Sequence, residues 1–239
     1  MIKRFLFVTR ACASDRFAAA WRAAVGAAAT APPPARPLRL AAGTVLAEVT
    51  PEAPHDGVGL QWFADEEHLL RFEAWSASPE GAAANALLGE AVELESTGVV
   101  VAHEHVMRGD EWIQRQRQDG GPGLKQMALA RRATDLTLAQ FFDRWRSRAG
   151  TVGVVPIPAE VRGLAYIQNH PLLTVGAGAG AGAEAGAEAE WPYDAVNEVY
   201  FDDLDGIRRR MAWFAENLDR NEDDLVRESC FVAVREEIL

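Results

Sequence analysis

Apolar residues recur along the chain at the spacing of one helix face. Phe17 and Trp21 stand four residues apart, and Phe141 and Trp145 repeat this spacing in the second part of the chain. The helices predicted in this way are 14–29, 65–92, 137–149 and 203–218. We expect the helix 65–92 to break at Ser78-Pro79, because proline cannot continue a helix interior.

Alternation of apolar and polar residues predicts the strands. The predicted strands are 2–10, 37–49, 56–63, 98–107, 124–132, 162–170, 194–201 and 228–236. One alternating set runs from Val58 to Trp62, and another runs from Val99 to His103. We expect both sets on the sheet face that carries no helices, where a second sheet would have to cover them.

The order of predicted elements is the same in both parts of the chain. Each part reads β-α-β-β-α-β, which is the ferredoxin-like unit. Asp56-Gly57-Val58 leads to Trp-Phe in the first part, and Asp194-Ala195-Val196 leads to Tyr-Phe at the corresponding place in the second. The predicted fold class is therefore α+β, with two ferredoxin-like repeats whose open sheet faces cover each other.

The repeats and their connectors set the predicted organisation. The first repeat spans 1–108, the linker 109–123 and the second repeat 124–239. A short helix is expected in the linker around Trp112. Residues 174–190 form a Gly/Ala/Glu-rich stretch of low complexity, which predicts a solvated loop and not a phosphate-binding one, because the Lys-Ser/Thr ending is missing.

The composition is that of an ordinary globular protein. The chain has 239 residues, of which 49% are apolar and 25% charged, and its formal net charge is −11. The acidic balance argues against a nucleic-acid surface, and no apolar run reaches the roughly 20 residues of a membrane helix. Cys12 and Cys230 imply no disulfide framework, and the N-terminal apolar run is too short for a signal peptide. We therefore expect a cytoplasmic protein without nucleic-acid or membrane partners.

The chain resembles the EthD domain of the dimeric α/β barrel superfamily at three short motifs. The motifs are Phe17…Trp21-Arg22, Tyr166-Ile167-Gln168-Asn169-His170, and Tyr193-Asp194…Glu198-Val199-Tyr200-Phe201. The resemblance is best between about residues 124 and 236. It implies that the two repeats form, within one chain, the barrel that relatives build from two subunits. The expected state is a monomeric pseudo-dimer or a homodimer.

The resemblance also implies a pocket near the sheets for a small apolar organic molecule, without a cofactor. Superfamily relatives isomerise, dehydrate, cyclise or oxygenate aromatic, lactone or polyketide-like compounds. Relatives commonly place a histidine four residues after the helix tryptophan, but this chain has Val25 and Ala149 there. Chemistry that depends on that histidine is therefore not expected here.

His170, Glu198 and Tyr166 are the candidate catalytic residues. Histidine titrates near neutral pH, so His170 is predicted to move a proton while Tyr166 or Asn169 steadies a developing oxyanion. Glu198 stands where the first repeat has Leu60, and a carboxylate on an interior face needs a partner or a raised pKa. Structural roles remain open as alternatives. His170 could stand at a strand end with its hydrogen bonds made to nearby backbone groups, and Glu198 could form a structural hydrogen bond.

His103, His105, Trp62 and Tyr200 are, with Asn169, the candidate substrate-binding residues. His103 and His105 point to one strand face and could serve as acid or base, but no third metal ligand follows from the spacing, so no metal is predicted. Trp62 and Tyr200 occupy matched strand positions and could form aromatic walls of a pocket. The alternative for each of these four is an ordinary structural role.

Two pairs of charged residues match between the repeats, Lys3 with Lys125 and Arg22 with Arg146. A duplicated pocket rarely keeps two identical reactive centres, so we interpret all four as surface or helix-end charges.

Three functions remain open. The first is an enzyme that performs cofactor-independent proton transfer, of lyase or isomerase type, on an apolar aromatic or polyketide-like compound, with a cofactor-free monooxygenase as a variant. The second is a non-catalytic small-molecule-binding or accessory protein. The third is a structural partner protein. A single cavity on which His170 converges with Tyr166, Glu198 or His103 would favour the first.

Overall fold

The computed structural model describes residues 1–120, 122–152, 155–173, 191–217 and 225–239. The strands are β1 (Ile2–Val8), β2 (Arg39–Val45), β3 (Gly57–Phe63), β4 (Gly98–Arg108), β5 (Pro122–Arg132), β6 (Thr151–Val152), β7 (Val155–Pro156), β8 (Ala165–Pro171), β9 (Ala195–Phe201) and β10 (Val226–Ile238). The α-helices are α1 (Ser14–Gly26), α2 (Glu66–Ser76), α3 (Ala82–Ala91), α4 (Asp110–Asp119), α5 (Leu138–Ser147) and α6 (Leu204–Asn217). None of these helices is both long enough and apolar enough to span a membrane.

Eight strands form a closed antiparallel barrel in the order β1-β3-β2-β10-β5-β9-β8-β4. Within the first half the order is β4-β1-β3-β2, and within the second, read in the same direction around the barrel, it is β10-β5-β9-β8. Read by position in each half, both are fourth-first-third-second, which is the ferredoxin-like arrangement. The halves meet where β4 pairs with β8 and where β2 pairs with β10. The predicted α+β fold of two ferredoxin-like units in one barrel is confirmed.

The strand registers define which residues of the two halves are equivalent. Lys3 pairs with Trp62 across β1 and β3, and Lys125 pairs with Tyr200 across β5 and β9. Continuing along these ladders, Leu60 corresponds to Glu198. The equivalences proposed from the sequence are thus reproduced by the hydrogen-bonded pairing.

The barrel interior is mostly apolar, while the helices cover its outer face. Thirteen buried residues form the inner cluster: Phe5, Phe7, Ala41, Val58, Leu60, Trp62, Val100, Ala102, Met127, Leu129, Val196, Val232 and Val234. Burying such side chains yields roughly 1.5–3 kcal/mol each relative to exposure. The interior placement of Val58, Leu60 and Trp62 agrees with the sequence analysis.

The second alternating set, Val99 to His103, lies on the opposite face from the one expected. Val101 packs in the outer cluster with Phe17 and Trp21, and His103 is exposed. The β1–β4 register sets this parity, because it directs Val100 and Ala102 inward.

The connectors follow the prediction in outline. The linker contains α4, whose Trp112 lies 5.2 Å from the Tyr200 ring, and the predicted break falls between α2 and α3. The β6–β7 hairpin was not predicted. The predicted loop 174–190 lies outside the described residues.

Candidate functional site

The sheet separates the predicted site residues onto two faces. Asn169 points into the barrel, where its Nδ2 donates to Glu198 Oε1 at 2.9 Å. The neighbouring His170 points outward, stacks on Phe142 of α5 at 4.9 Å between ring centroids, and lies 4.6 Å from the His105 ring. His170 and Glu198 are therefore on opposite sides of the barrel wall and do not face one cavity.

Inside one end of the barrel lies a cluster of buried charges centred on Glu198. Lys3 and Lys125 each form an ion pair with this carboxylate, the second at 2.6 Å. Lys3 also pairs with Glu104 at 3.2 Å, and Lys125 pairs with Glu236. Because β4 and β10 occupy equivalent places, Glu104 and Glu236 are equivalent. Among the described residues, Glu198 is the carboxylate that both lysines share.

Lys3 and Lys125 are fully buried, so their interpretation as surface charges was wrong. Both point inward at the ends of β1 and β5, and the carboxylates around them compensate for the lost hydration. Arg22 and Arg146 are exposed, as expected.

The electrostatics of this cluster keep its members ionised. Burial alone would raise the pKa of Glu198, but Lys125 and Lys3 outweigh it and hold that pKa far below its usual value. Burial would lower the pKa of Lys125, but Glu198 and Glu236 raise it. Glu104 has its pKa lowered to about 2, because Lys3 and Arg117 outweigh the effect of its burial.

Trp62 and Tyr200 belong to the same cluster. Trp62 Nε1 donates to Glu104 Oε2 at 3.1 Å, and the Tyr200 hydroxyl lies 3.3 Å from Glu198 Oε2 and 3.4 Å from Glu236 Oε1. The two aromatic side chains here satisfy and enclose buried charges.

A cavity of about 560 Å³ lies in the second half, between the outer sheet face and the helices. Its apolar lining includes Ala128, Ala130, Ile157, Val199, Phe214 and Phe231. Its polar lining includes Arg108, Trp145, Arg162, Tyr166, Asn197 and Arg210. Of the predicted catalytic residues only Tyr166 lines it.

Smaller side chains on the sheet create this space. Ala128 and Ala130 face the cavity where the first half has Leu6 and Val8. In the first half the corresponding space between sheet and helices measures about 100 Å³.

The helix tryptophan is also placed differently in the two halves. In the first half Gly59 lets Trp21 lie directly on the sheet, whereas Asn197 occupies the matched position in the second. Trp145 is accordingly half-buried, with Nε1 3.4 Å from Asn197 Oδ1.

Tyr166, Gln168 and His170 form a hydrogen-bonded row on the outer face of β8. Gln168 Nε2 donates to the Tyr166 hydroxyl oxygen at 2.8 Å, and Gln168 Oε1 lies 3.1 Å from His170 Nε2. Burial, with the positive charges of His105 and Arg146, lowers the pKa of His170 to about 4, so it is neutral at pH 7. In the first half the matched residues of β2 are Leu40, Ala42 and Thr44, so the row belongs to the second half alone.

Arg210 enters the cavity from α6. It is 7% exposed, and it donates from Nε to Gln126 and from Nη1 to the Val161 carbonyl at 2.8 Å. Burial lowers the pKa of Arg210 to about 10, so the guanidinium is still charged at neutral pH. Arg210 corresponds to Phe72 in the first half, since the Asp65 and Asp203 helix caps align.

The sequence analysis missed Arg210, Asn197 and Arg108. The sequence signal that could have identified two of them is a difference between the repeats. The second repeat has the polar Asn197 where the first has Gly59, and it has the charged Arg210 where the first has the apolar Phe72.

Two solved structures are similar to the chain over almost its whole length. One is a putative monooxygenase from Lactobacillus acidophilus NCFM, at 10% identity and a TM-score of 0.47, covering 98% of this chain and 93% of that one. The other is a putative monooxygenase from Fusobacterium nucleatum subsp. nucleatum ATCC 25586, at 8% identity and a TM-score of 0.49, covering 100% and 91%. No family model and no curated protein matches the chain. The fold therefore rests on the strand order of the chain itself, and membership of the EthD family stays a prediction.

Proposed function

We propose that the cavity of the second half binds a small, largely apolar organic molecule and that Tyr166 gives a proton to one of its oxygen atoms. The observation that carries the proposal is the cavity itself, about 560 Å³ with an apolar lining and a few polar groups. Its volume lies within the roughly 300–1,000 Å³ of small-molecule sites.

The hydrogen bond from Gln168 prepares Tyr166 as the donor. Because the phenol oxygen accepts from Gln168 Nε2, its own proton is directed elsewhere, and no described residue accepts it. Burial raises the pKa of Tyr166, although Gln168 and Arg210 act in the opposite direction. The hydroxyl is therefore protonated at neutral pH and suits a general acid.

Arg210 supports the same step electrostatically. When Tyr166 transfers its proton to a carbonyl or leaving hydroxyl oxygen, the O–H bond breaks and a phenolate remains. The charge of Arg210, which already acts on Tyr166, stabilises that phenolate. The phenolate then takes a proton from a carbon atom of the same molecule, so that Tyr166 acts first as the acid and then as the base and returns to its protonated form. The proposed reaction is therefore proton transfer of lyase or isomerase type without His170 as the base, and His170 acts through Gln168 as a positioning residue.

One observation favours a second candidate, a non-catalytic binding protein. The described lining residues include no carboxylate, histidine or lysine that could remove a proton from carbon. In this version Tyr166 and Arg210 hydrogen-bond to a ligand oxygen and no reaction follows.

The test uses a panel of aromatic and polyketide-like ketones and hydroxyketones. We expect at least one to raise the melting temperature, because a ligand that binds only the folded state stabilises it. Turnover of that compound, followed by absorbance together with dioxygen uptake, separates proton transfer from oxygenation and from binding alone.

Tyr166→Phe is expected to lower turnover by about 10²-fold or more while binding changes little. Tyr193→Phe is the matched control, since its hydroxyl bonds His55 at 2.7 Å, away from the cavity lining. Unchanged turnover in Tyr166→Phe would remove the proposed acid, and a panel without any binder would contradict the function as a whole.

A further inference from the structure

Three arginines line the cavity without an anionic partner among the described residues. Arg210 Nη1 donates to Val161, Arg108 Nη1 donates to Gly163 at 2.8 Å, and Arg162 Nε donates to Ile157 at 2.6 Å, all to backbone carbonyl oxygens. No carboxylate in the part of the chain that is described forms an ion pair with any of the three. The carbonyls satisfy hydrogen bonds but leave the positive charge uncompensated.

The three arginines lie close together. Arg108 and Arg210 both donate to backbone carbonyls of residues 161–163, the segment that carries Arg162. Like charges repel at such separations: burial and then the charge of Arg162 lower the pKa of Arg108, and burial and Arg108 lower the pKa of Arg210. They therefore form one region of positive charge at one part of the cavity wall, beside Tyr166.

The buried cations in the barrel interior are treated differently. Lys3, Lys125 and Arg117 each lie within 3.2 Å of a carboxylate, and that cluster contains three cations and three carboxylates. A buried charge without a counter-charge is costly. Of the three cavity arginines, Arg210 is buried, whereas Arg108 and Arg162 are exposed. In a chain of net charge −11, this cationic region facing a cavity is thus a place where an anion from outside is favoured.

We propose that the ligand of this cavity carries a carboxylate, which Arg108, Arg162 and Arg210 neutralise. The inference rests on the proposed function, which supplies the cavity and its apolar walls. A guanidinium matches a planar carboxylate through two parallel hydrogen bonds. The single cationic region and the apolar remainder of the lining fit one carboxylate on an aromatic or polyketide-like body.

The experiment compares 2-naphthoate with 2-naphthamide by calorimetric titration of the full-length protein. The two compounds have nearly equal size and apolar surface, and only the first is charged. We expect the carboxylate to bind at least about tenfold more tightly, since charge-assisted hydrogen bonds are stronger than neutral ones. The preference should shrink as salt is added.

Variants assign that preference to the arginines. Arg210→Gln and Arg108→Gln should each reduce naphthoate affinity about tenfold and leave naphthamide affinity within about threefold. Arg108 is exposed, so its variant keeps the test valid if Arg210→Gln does not fold. Arg22→Gln is the control, because this exposed arginine of α1 pairs with Glu237 of β10, and neither residue lines the cavity.

The outcomes separate the two proposals. Equal affinity for both compounds, or a preference that survives both arginine variants, overturns the carboxylate inference and leaves the binding cavity in place. Binding of neither naphthoate, naphthamide nor any compound of the ketone panel overturns the proposed function and the inference with it.

Discussion

The two halves of the barrel share one topology but fill the space between sheet and helix in opposite ways. In the first half Trp21 is fully buried, and its Nε1 donates to the Gly43 carbonyl at 3.1 Å. In the second half Trp145 is half-buried beside a cavity of about 560 Å³. A few side chains on the sheet decide between these outcomes. The same backbone arrangement can therefore hold either a packed core or a cavity between sheet and helices.

Inside the barrel the halves also differ in charge, at the position of Glu198. Glu198 serves both lysines, while its counterpart Leu60 belongs to the apolar cluster. Two equivalent carboxylates there would give the cluster four negative groups against three cations. The asymmetry is therefore consistent with charge balance in a closed interior.

The strongest test of this asymmetry is Glu198→Leu, which gives the second half the residue of the first. We expect the free energy of unfolding to fall by about 3–5 kcal/mol, because both buried lysines lose a partner. Urea denaturation measures the change. Glu237→Leu is the control on β10, where a surface ion pair with Arg22 is worth less than about 1 kcal/mol. A stable Glu198→Leu protein would show that the cluster is not coupled in this way.

The next effect concerns the two equivalent tryptophans. Trp21→Ala is expected to lower the free energy of unfolding by about 3–5 kcal/mol, since it empties a fully packed site. Trp145→Ala should cost clearly less, because its ring already borders open space. Equal losses in parallel denaturation curves would contradict the contrast between the halves.

A smaller effect is expected at the glycine beneath Trp21. A Cβ at Gly57 would lie 2.9 Å from Phe17 Cζ and 3.0 Å from Trp21 Nε1, so Gly57→Ala should cost about 1–3 kcal/mol through overpacking. The matched change in the other half is Ala195→Gly, for which about 1 kcal/mol is expected. Thermal unfolding of both variants checks the order, and a harmless Gly57→Ala would mean that Trp21 has room to move.

The smallest effect is a dependence of stability on pH that comes from the second half. Unfolded His170 binds a proton below about pH 6.5, whereas folded His170 binds one only near pH 4, so the unfolded state holds more protons between these values. The free energy of unfolding should therefore fall by about 1–2 kcal/mol as pH drops from 6.5 to 4. His105, His103 and Arg146 face His170 and act in the same direction.

His170→Gln should flatten that dependence between pH 6.5 and 4, and the exposed His103→Gln should retain most of it. The two variants are compared with the native chain by denaturation at several pH values. An unchanged slope in His170→Gln would assign the effect to another group.

The sequence predicted the fold better than the site, for a physical reason. Strand parity and the Phe17–Trp21 spacing report burial, and burial recurs in both repeats. Whether Glu198 and His170 meet depends on which face of the sheet each occupies, and one residue of register reverses that. Glu198 and Asn169 lie on the sheet face that points into the barrel, whereas His170 lies on the face that the helices cover.

The buried lysines and the cavity arginines escaped prediction for a different reason. A lysine side chain in isolation predicts exposure, and nothing local to Lys3 shows that three carboxylates from distant strands will surround the cluster. Arg210 needed the alignment of Asp65 with Asp203 before its difference from Phe72 became visible.

The pairing of β10 with both β5 and β2 has a consequence for biosynthesis. Strand β2, at residues 39–45, is made early, yet its hydrogen-bonding edge finds its native neighbour only when residues 226–238 emerge from the ribosome. During that interval an unpaired strand edge is open to intermolecular pairing and aggregation. Yield in the cell should thus depend on how well chaperones shield this edge during translation.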